Sequence, residues 1–194
     1  MKRRRFTARA VALLALVFAT AALAGAFIEG SAAARDDQVI AVSLRVVNAF
    51  TPEIEKAIIS GIPHTFTYFF EIFREVPAWP DMRIYHWQVH RTIKYDTLKK
   101  IYTVDPGDGN RPKQTEEFSL AKRWMTEFTD HPVAVTTSLD RNFRHYLRIK
   151  AELDPVRLPL LLDKLLFFVN LWSLETPWHR IDLPLEPAVE NADE

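Results

Sequence analysis

Histidine offers the widest choice of chemistry in this sequence, because it can bind a metal or transfer a proton near neutral pH. Six histidines occur, and His86 and His90 are four residues apart. On a helix this spacing would make a metal pair. The surrounding pattern predicts a strand, on which the two rings lie about 13 Å apart at roughly 3.3 Å per residue. The others show no ligand spacing: His64, His131, His145 and His179. We therefore predict no metal site.

Nucleophilic and phosphate-binding motifs are also missing from the sequence. The chain has no cysteine, which excludes disulfides, thiolate metal sites and cysteine nucleophiles. Only five glycines occur, which disfavours a phosphate-binding loop. No G-x-S-x-G motif surrounds the serines that follow the N-terminal segment, which are Ser43, Ser60, Ser119, Ser138 and Ser173. We predict no catalytic residues and no cofactor.

Carboxylates are the remaining candidates for acid–base chemistry. Asp96, Asp140 and Asp154 lie beside predicted turns, where aspartate bonds its own backbone. Glu71 and Glu75 lie within or near an aromatic strand. A glutamate that faced the core would have a raised pKa and could act as an acid or base. The alternative is that the face carrying them is solvated, since buried unpaired glutamate is rare.

The aromatic side chains suggest a core or a ligand pocket, and the basic side chains suggest a binding surface. One aromatic set either fills the core or lines a lipophilic pocket: Phe66, Phe70, Tyr85, Trp87, Tyr95, Tyr102 and Trp124. A basic set near a predicted turn suits an acidic partner or lipid headgroups: Arg141, Arg144, Arg148 and Lys150. Asp140 and Glu152 dilute the charge of the second set.

The elements that must position these residues are mostly strands. Alternating apolar and polar residues predict the strands Gln38–Phe50, Ile62–Val76, Met82–Tyr95, Ile101–Val104, Val133–Ser138, His145–Leu153 and Trp178–Leu183. One short helix begins at Thr51-Pro52, and a second is capped by Ser119 and ended by Pro132. We predict a mainly β fold: an antiparallel β-sandwich or curved sheet with two to three short helices, or alternatively an α+β arrangement.

One segment, Pro155–Trp172, is unusually apolar. It is too short and too often interrupted by polar residues to span a membrane. It is either a buried helix or core-crossing segment, or a surface patch for a membrane or a partner. A polar, acidic tail follows at Leu185–Glu194.

The N-terminus has the composition of an export signal. A basic start, Met1–Arg5, precedes an uncharged apolar block from Ala10 to Ile28, and a small-x-small peptidase site follows at Ser31–Ala34. A second such site, Ala22-Leu23-Ala24, lies inside the block. The block is also near the length of a membrane span. We predict that residues 1–34 are a signal peptide or an N-terminal membrane anchor.

The remaining residues, 35–194, are predicted to form a single β-rich envelope domain. The whole chain of 194 residues is balanced in charge, and removal of the basic leader leaves a mildly acidic domain. Such a domain has no electrostatic attraction for nucleic acid. We expect a periplasmic location, either soluble after cleavage near Ala34 or tethered to the inner membrane by residues 10–28.

Several sequence blocks, in order, resemble a known family. They are Val46–Pro52, Ser60–Pro63, Thr92–Leu98, Leu147–Asp154, Leu166–Trp172 and Thr176–Trp178. Together they are similar to the proteobacterial domain-of-unknown-function family 4390. The resemblance implies an exported protein without assigned activity or catalytic residues, encoded in many cases beside a nitrogen-type sensor kinase and its regulator.

Three functions are compatible with the sequence. The favoured one is a non-catalytic envelope binding or interaction module linked to envelope signalling, with an envelope protein such as a sensor kinase as partner and a membrane surface as a further contact. The second is a carrier or sensor of a lipophilic ligand, based on the aromatic strands and the segment Leu158–Trp172. The third is an envelope hydrolase that uses a carboxylate such as Glu71.

Overall fold

The computed structural model describes residues 25–35, 38–154 and 174–185. The strands are β1 (Phe27–Arg35), β2 (Val39–Val47), β3 (His64–Arg74), β4 (Met82–Asp96), β5 (Ile101–Asp105), β6 (Lys113–Thr115), β7 (Glu127–Val135), β8 (His145–Leu153) and β9 (His179–Asp182). The helices are α1 (Pro52–Ile59) and α2 (Phe118–Thr126), and a 3₁₀ turn covers Thr136–Ser138. The apolar segment Pro155–Trp172 and most of the acidic tail lie outside the described residues.

The described strands form two antiparallel sheets. The smaller sheet has the order β1-β2-β7, and the larger has the order β6-β5-β4-β3-β8-β9. Every pairing in both sheets is antiparallel. The prediction of a mainly β, antiparallel fold with short helices is therefore confirmed.

Each sheet packs one of its faces against the other sheet, and the core lies between them. On β3, Phe66, Tyr68 and Phe70 are fully buried. The ring of Tyr68 meets Phe128 of β7 edge to face at a centroid distance of 4.8 Å. Phe70 also stacks on Trp87 of β4 at 5.1 Å. Most of the aromatic residues singled out from the sequence therefore fill the interior, although Tyr85 is exposed.

Helix α1 begins where the sequence predicts it. Pro52 occupies the first turn, and the Thr51 hydroxyl accepts a hydrogen bond from the Ile54 amide at 3.4 Å. Ile54, Ala57 and Ile58 are the buried positions of this helix. An eight-residue helix is marginal alone, so this apolar stripe docks it on the sheets.

Helix α2 differs from its prediction at both ends. Its N-cap is Glu117, and the Ser119 hydroxyl instead donates to the Glu117 carboxylate at 3.0 Å. The helix stops at Thr126, and Pro132 lies inside β7. Pro132 is tolerated there because β7 is an edge strand and its pairing with β2 shifts register beside Ala41, the partner of Pro132.

All of strand β1 except Arg35 lies inside residues 1–34, the segment that the sequence predicts to be a leader. Residues 27–35 pair with β2 in continuous register, from Phe27 opposite Val47 to Arg35 opposite Val39. The difference arises because glycine, serine and alanine at 30–34 resemble a peptidase site more than a strand. Among the described residues, no helix is long and apolar enough to cross a bilayer.

Candidate functional site

Glu71, the carboxylate singled out for acid–base chemistry, lies on the outer face of the larger sheet. Its side chain is 13% exposed and is held by Arg83 of β4 at 2.6 Å and by Arg148 of β8 at 3.4 Å. Its neighbours along β3, Phe70 and Ile72, point to the core. The structure therefore places Glu71 in an ion-pair cluster and not in an apolar pocket.

Glu75 and the basic residues of β8 belong to the same ion-paired face. Arg180 of β9 binds both Glu75 and Asp182. Lys150 lies 2.6 Å from Glu152 and 2.5 Å from Glu175. Hydrogen bonds to these carboxylates raise the pKa of Lys150 and of Arg180 above their usual values.

Aromatic rings separate the cations on this face. Arg148 lies 4.5 Å from the ring centroid of Trp178, and Arg180 lies 3.7 Å from that of Tyr146. The cations of this face are therefore paired with carboxylates and stacked on rings. Arg141 and Arg144 are exposed at the turn before β8. The four basic residues that the sequence groups together therefore do not form one patch.

The histidines are dispersed over the described part of the chain. His86 and His90 are exposed on the outer face of β4, and His90 shares a hydrogen bond of 2.9 Å with the Thr67 hydroxyl. His145 is buried, and burial lowers its pKa. His131 contacts the rings of Phe70 and Phe128, and burial followed by the charge of Arg91 lowers its pKa. No group of three or more potential metal ligands occurs in residues 25–35, 38–154 and 174–185.

Arg91 is a buried cation that the sequence analysis does not identify. It is only 6% exposed, and one of its terminal nitrogens donates to the carbonyls of Trp124, Met125 and Glu127 at 2.9, 3.4 and 2.6 Å. Its guanidinium lies 3.4 Å from the ring centroid of Phe128. Burial lowers the pKa of Arg91. The alternation of Val89 and Ile93 on β4 already indicates that position 91 faces inward.

A small polar cavity lies beside Arg91. Its volume is about 310 Å³, and its lining includes Arg91, Asp108, Lys113, Trp124 and Glu127. Both signs of charge are present in this lining. Because Arg91 already caps the carbonyls at the end of α2, its role there is to join α2 and β7 to the larger sheet.

Strand β4 is unpaired on one side along the first half of its length in the described part of the chain. Strand β4 pairs with β3 from Met82 to Ile93, but β5 covers its other side only from Thr92 to Asp96. We call the uncovered side of residues 83–89 the β4 edge. No strand of the described chain lies against it. Long uncovered edges of this kind are templates for pairing with another strand.

The direction of the backbone groups along the β4 edge follows from the ladder. The Asp154 amide donates to the carbonyl of Thr65, so the odd-numbered residues of β3 direct their backbone groups towards β8. Antiparallel alternation then turns the odd-numbered residues of β4 towards β3. His86 and Gln88 consequently present their N–H and C=O groups to the uncovered side.

Apolar side chains accompany the β4 edge at its beginning. Trp79, Met82 and Tyr85 are 75%, 43% and 45% exposed, which groups three large exposed hydrophobic side chains within seven residues. At the other end the loop after β5 closes the edge. Gly107 approaches so closely that an added Cβ would lie 1.7 Å from the carbonyl oxygen of His90.

Two antiparallel sheets, an ion-paired outer face and a strand β4 that is partly unpaired on one side thus characterise a mainly β domain in the described part of the chain. Over residues 24–182 the sequence matches the family described as "Domain of unknown function (DUF4390)". The chain belongs to this family, which confirms the resemblance seen in the sequence. No curated protein and no solved structure matched the chain.

Proposed function

We propose that this protein is a non-catalytic binding module of the cell envelope that takes up an extended segment of a partner protein as an added strand on the β4 edge. The observation that carries the proposal is the uncovered side of residues 83–89, in the first half of the larger sheet's longest strand. In strand addition, backbone hydrogen bonds supply affinity and alternate side chains supply specificity.

The β4 edge offers both backbone hydrogen-bonding groups and side chains that can give specificity. The backbone groups of His86 and Gln88 supply two donors and two acceptors to an incoming strand. Trp79, Met82 and Tyr85 supply apolar surface beside it. The closing loop at Gly107 limits how far a partner strand extends towards His90. The segment that fits is therefore short and begins or ends near this loop.

Charge favours a foreign segment over a second copy of the chain. The exposed side chains of residues 82–90 include the cation Arg83 and no carboxylate, whereas Arg91 is buried. Pairing β4 with its own copy would therefore bring no opposite charge to this edge. We therefore assign the edge to a neutral or acidic extended segment of an envelope protein, such as the exported part of a sensor kinase.

The other two functions have no supporting feature among the described residues. A lipophilic carrier needs an apolar cavity, but Phe66, Phe70 and Trp87 pack against neighbouring rings. A carboxylate hydrolase needs an acid or base free to act, but Glu71 and Glu75 are engaged by arginines.

Photo-crosslinking in exporting cells tests the proposal. A photoreactive residue is placed in the full chain at Tyr85, beside the edge, and separately at Lys94, which lies on the same strand where β5 covers it. We expect one discrete crosslinked protein from position 85 and none from position 94. Equal labelling from both positions would contradict strand addition, and a product of twice the chain's mass would assign the edge to a second copy.

A proline substitution separates backbone pairing from side-chain contact. Gln88→Pro removes the outward N–H while leaving the β3 ladder intact, and Gln88→Ala keeps that N–H. We expect Gln88→Pro to reduce crosslinking from position 85 at least tenfold and Gln88→Ala to leave it unchanged. Melting temperatures of both variants establish that they fold, and full crosslinking by folded Gln88→Pro would refute the role of the edge.

A further inference from the structure

Strand β1 is an integral part of the smaller sheet. Its nine residues pair one to one with β2, and Ile28 is 4% exposed in the core. Glu29 also forms an ion pair with Arg45 across the two strands at 3.1 Å. Since β1 begins at Phe27, the fold starts well before the peptidase-like sequence Ser31–Ala34 ends.

Gly30 shows how closely β1 is packed. A Cβ atom at this position would lie 2.8 Å from the Cβ of Leu44 and 3.1 Å from Cδ1 of Ile181. Leu44 belongs to β2, and Ile181 belongs to β9 of the larger sheet. Strand β1 therefore closes the core at the end of the smaller sheet where β9 approaches it.

Cleavage after Ala34 would remove almost all of β1. The product would lose Ile28 from the core and would uncover the side of β2 that β1 pairs with. It would also uncover Leu44 and Ile181, which are 4% and 6% exposed in the intact fold. Peptidase processing at Ser31–Ala34 is therefore incompatible with the folded domain described above.

We propose that the exported precursor is cut between Ala24 and Gly25, so that the mature chain begins at Gly25 and keeps β1. In this step a signal peptidase hydrolyses one peptide bond: water adds across it, Ala24 gains the new carboxylate and Gly25 the new amino group. The recognised residues are Ala22 and Ala24, in the small-x-small pattern. The proposal rests on export, and it does not depend on the partner at the β4 edge.

The length of the apolar block supports the same site. Ending the leader at Ala24 leaves an uncharged, mainly apolar stretch from Ala10 to Ala21, whose length lies within the roughly 7–15 residues of a signal-peptide core. Ending it at Ala34 instead requires a block from Ala10 to Ile28, followed by Glu29, which exceeds that range.

N-terminal sequencing and intact mass of the protein, expressed as the full chain in an exporting bacterium, test this inference. We expect Gly25 as the first residue. An N-terminus at Arg35, or an unprocessed chain that begins at Met1, would overturn the proposal.

Two matched substitutions locate the cut independently of the fold. Ala24→Arg places a large cation next to the bond to be cut and should cause the precursor to accumulate at least tenfold. Ala34→Arg alters an exposed position of β1 and should leave processing unchanged. The opposite pattern, in which only Ala34→Arg blocks processing, would refute cleavage after Ala24.

Discussion

At the scale of the residue, Arg91 brings a charge into the interior and is held there by backbone carbonyls. Three carbonyls at the end of α2 and the start of β7 accept hydrogen bonds from it. Its removal takes this donor from the carbonyls of Trp124 and Glu127, whereas the Met125 carbonyl keeps the hydrogen bond from the Tyr68 hydroxyl. Leaving acceptors without a donor costs more than the hydrogen bonds themselves contribute. Arg91 is therefore a structural residue of the interface between the two sheets.

We expect Arg91→Met to lower the free energy of unfolding by about 3 kcal/mol, because hydrogen bonds from a buried charged group are lost. Chemical denaturation measures this change. The control is Arg83→Met, which breaks the ion pair to Glu71 at a half-exposed side chain and should cost about 1 kcal/mol or less. Equal effects of the two substitutions would contradict the assigned role of Arg91.

Three buried or partly buried histidines predict a pH dependence of stability. Burial lowers the pKa of His64, of His131 and of His145 below the ordinary value of 6.5. The unfolded chain then binds more protons, so this contribution to stability is complete above pH 6.5 and is lost as the pH falls towards the lowered folded pKa values. We expect the free energy of unfolding to decrease between about pH 7 and pH 5.

The variant His131→Phe keeps the ring contacts with Phe70 and Phe128 and removes the titrating group. Denaturation at several pH values should give a shallower decrease for this variant than for the parent chain. An unchanged slope would show that His131 does not contribute to the pH dependence.

At the scale of the element, the sequence predicts strands and helices where local signals agree with burial. The alternation of Ile40, Val42, Leu44 and Val46 predicts β2, and Thr51-Pro52 predicts the start of α1. The prediction fails at β1, because Gly30 and its small neighbours form a strand only through pairing with β2. It also fails at Pro132, which a register shift accommodates in an edge strand.

Gly30 gives the sharpest test of β1. We expect Gly30→Ala to cost about 1–3 kcal/mol of stability, because the added Cβ overlaps Leu44 and the backbone oxygen of Ser43 at 3.0 Å. Gly25→Ala is the matched control, since an added Cβ meets nothing within 4 Å there. Thermal melting compares the two, and a Gly30→Ala variant as stable as the control would contradict the close packing of β1.

At the scale of the whole molecule, the described strands leave the first half of β4 unpaired on one side. This property has no signature in the residues of β4, whose alternation would look the same in a strand paired on both sides. It depends on the point at which β5 ends, at Asp105, and on the loop that then turns across His90. The candidate site therefore could not be predicted from the sequence, although the strand that carries it could.

The open edge predicts an alternating pattern of amide hydrogen exchange along β4 in the unbound protein. The amides of His86 and Gln88 face the uncovered side and should exchange within minutes. Those of Trp87 and Val89 face β3 and should be protected by several orders of magnitude, because their exchange requires opening of the ladder. Amide-resolved exchange followed by NMR measures all four.

Thr92 and Lys94 supply the internal control, because their amides point the same way as those of His86 and Gln88 but are covered by β5. They should be protected. Protection of His86 and Gln88 in the isolated chain would mean that the edge is already occupied, and strand addition by a partner would then require displacement. Fast exchange that becomes slow only in the presence of the crosslinked partner would show that the partner pairs with this edge.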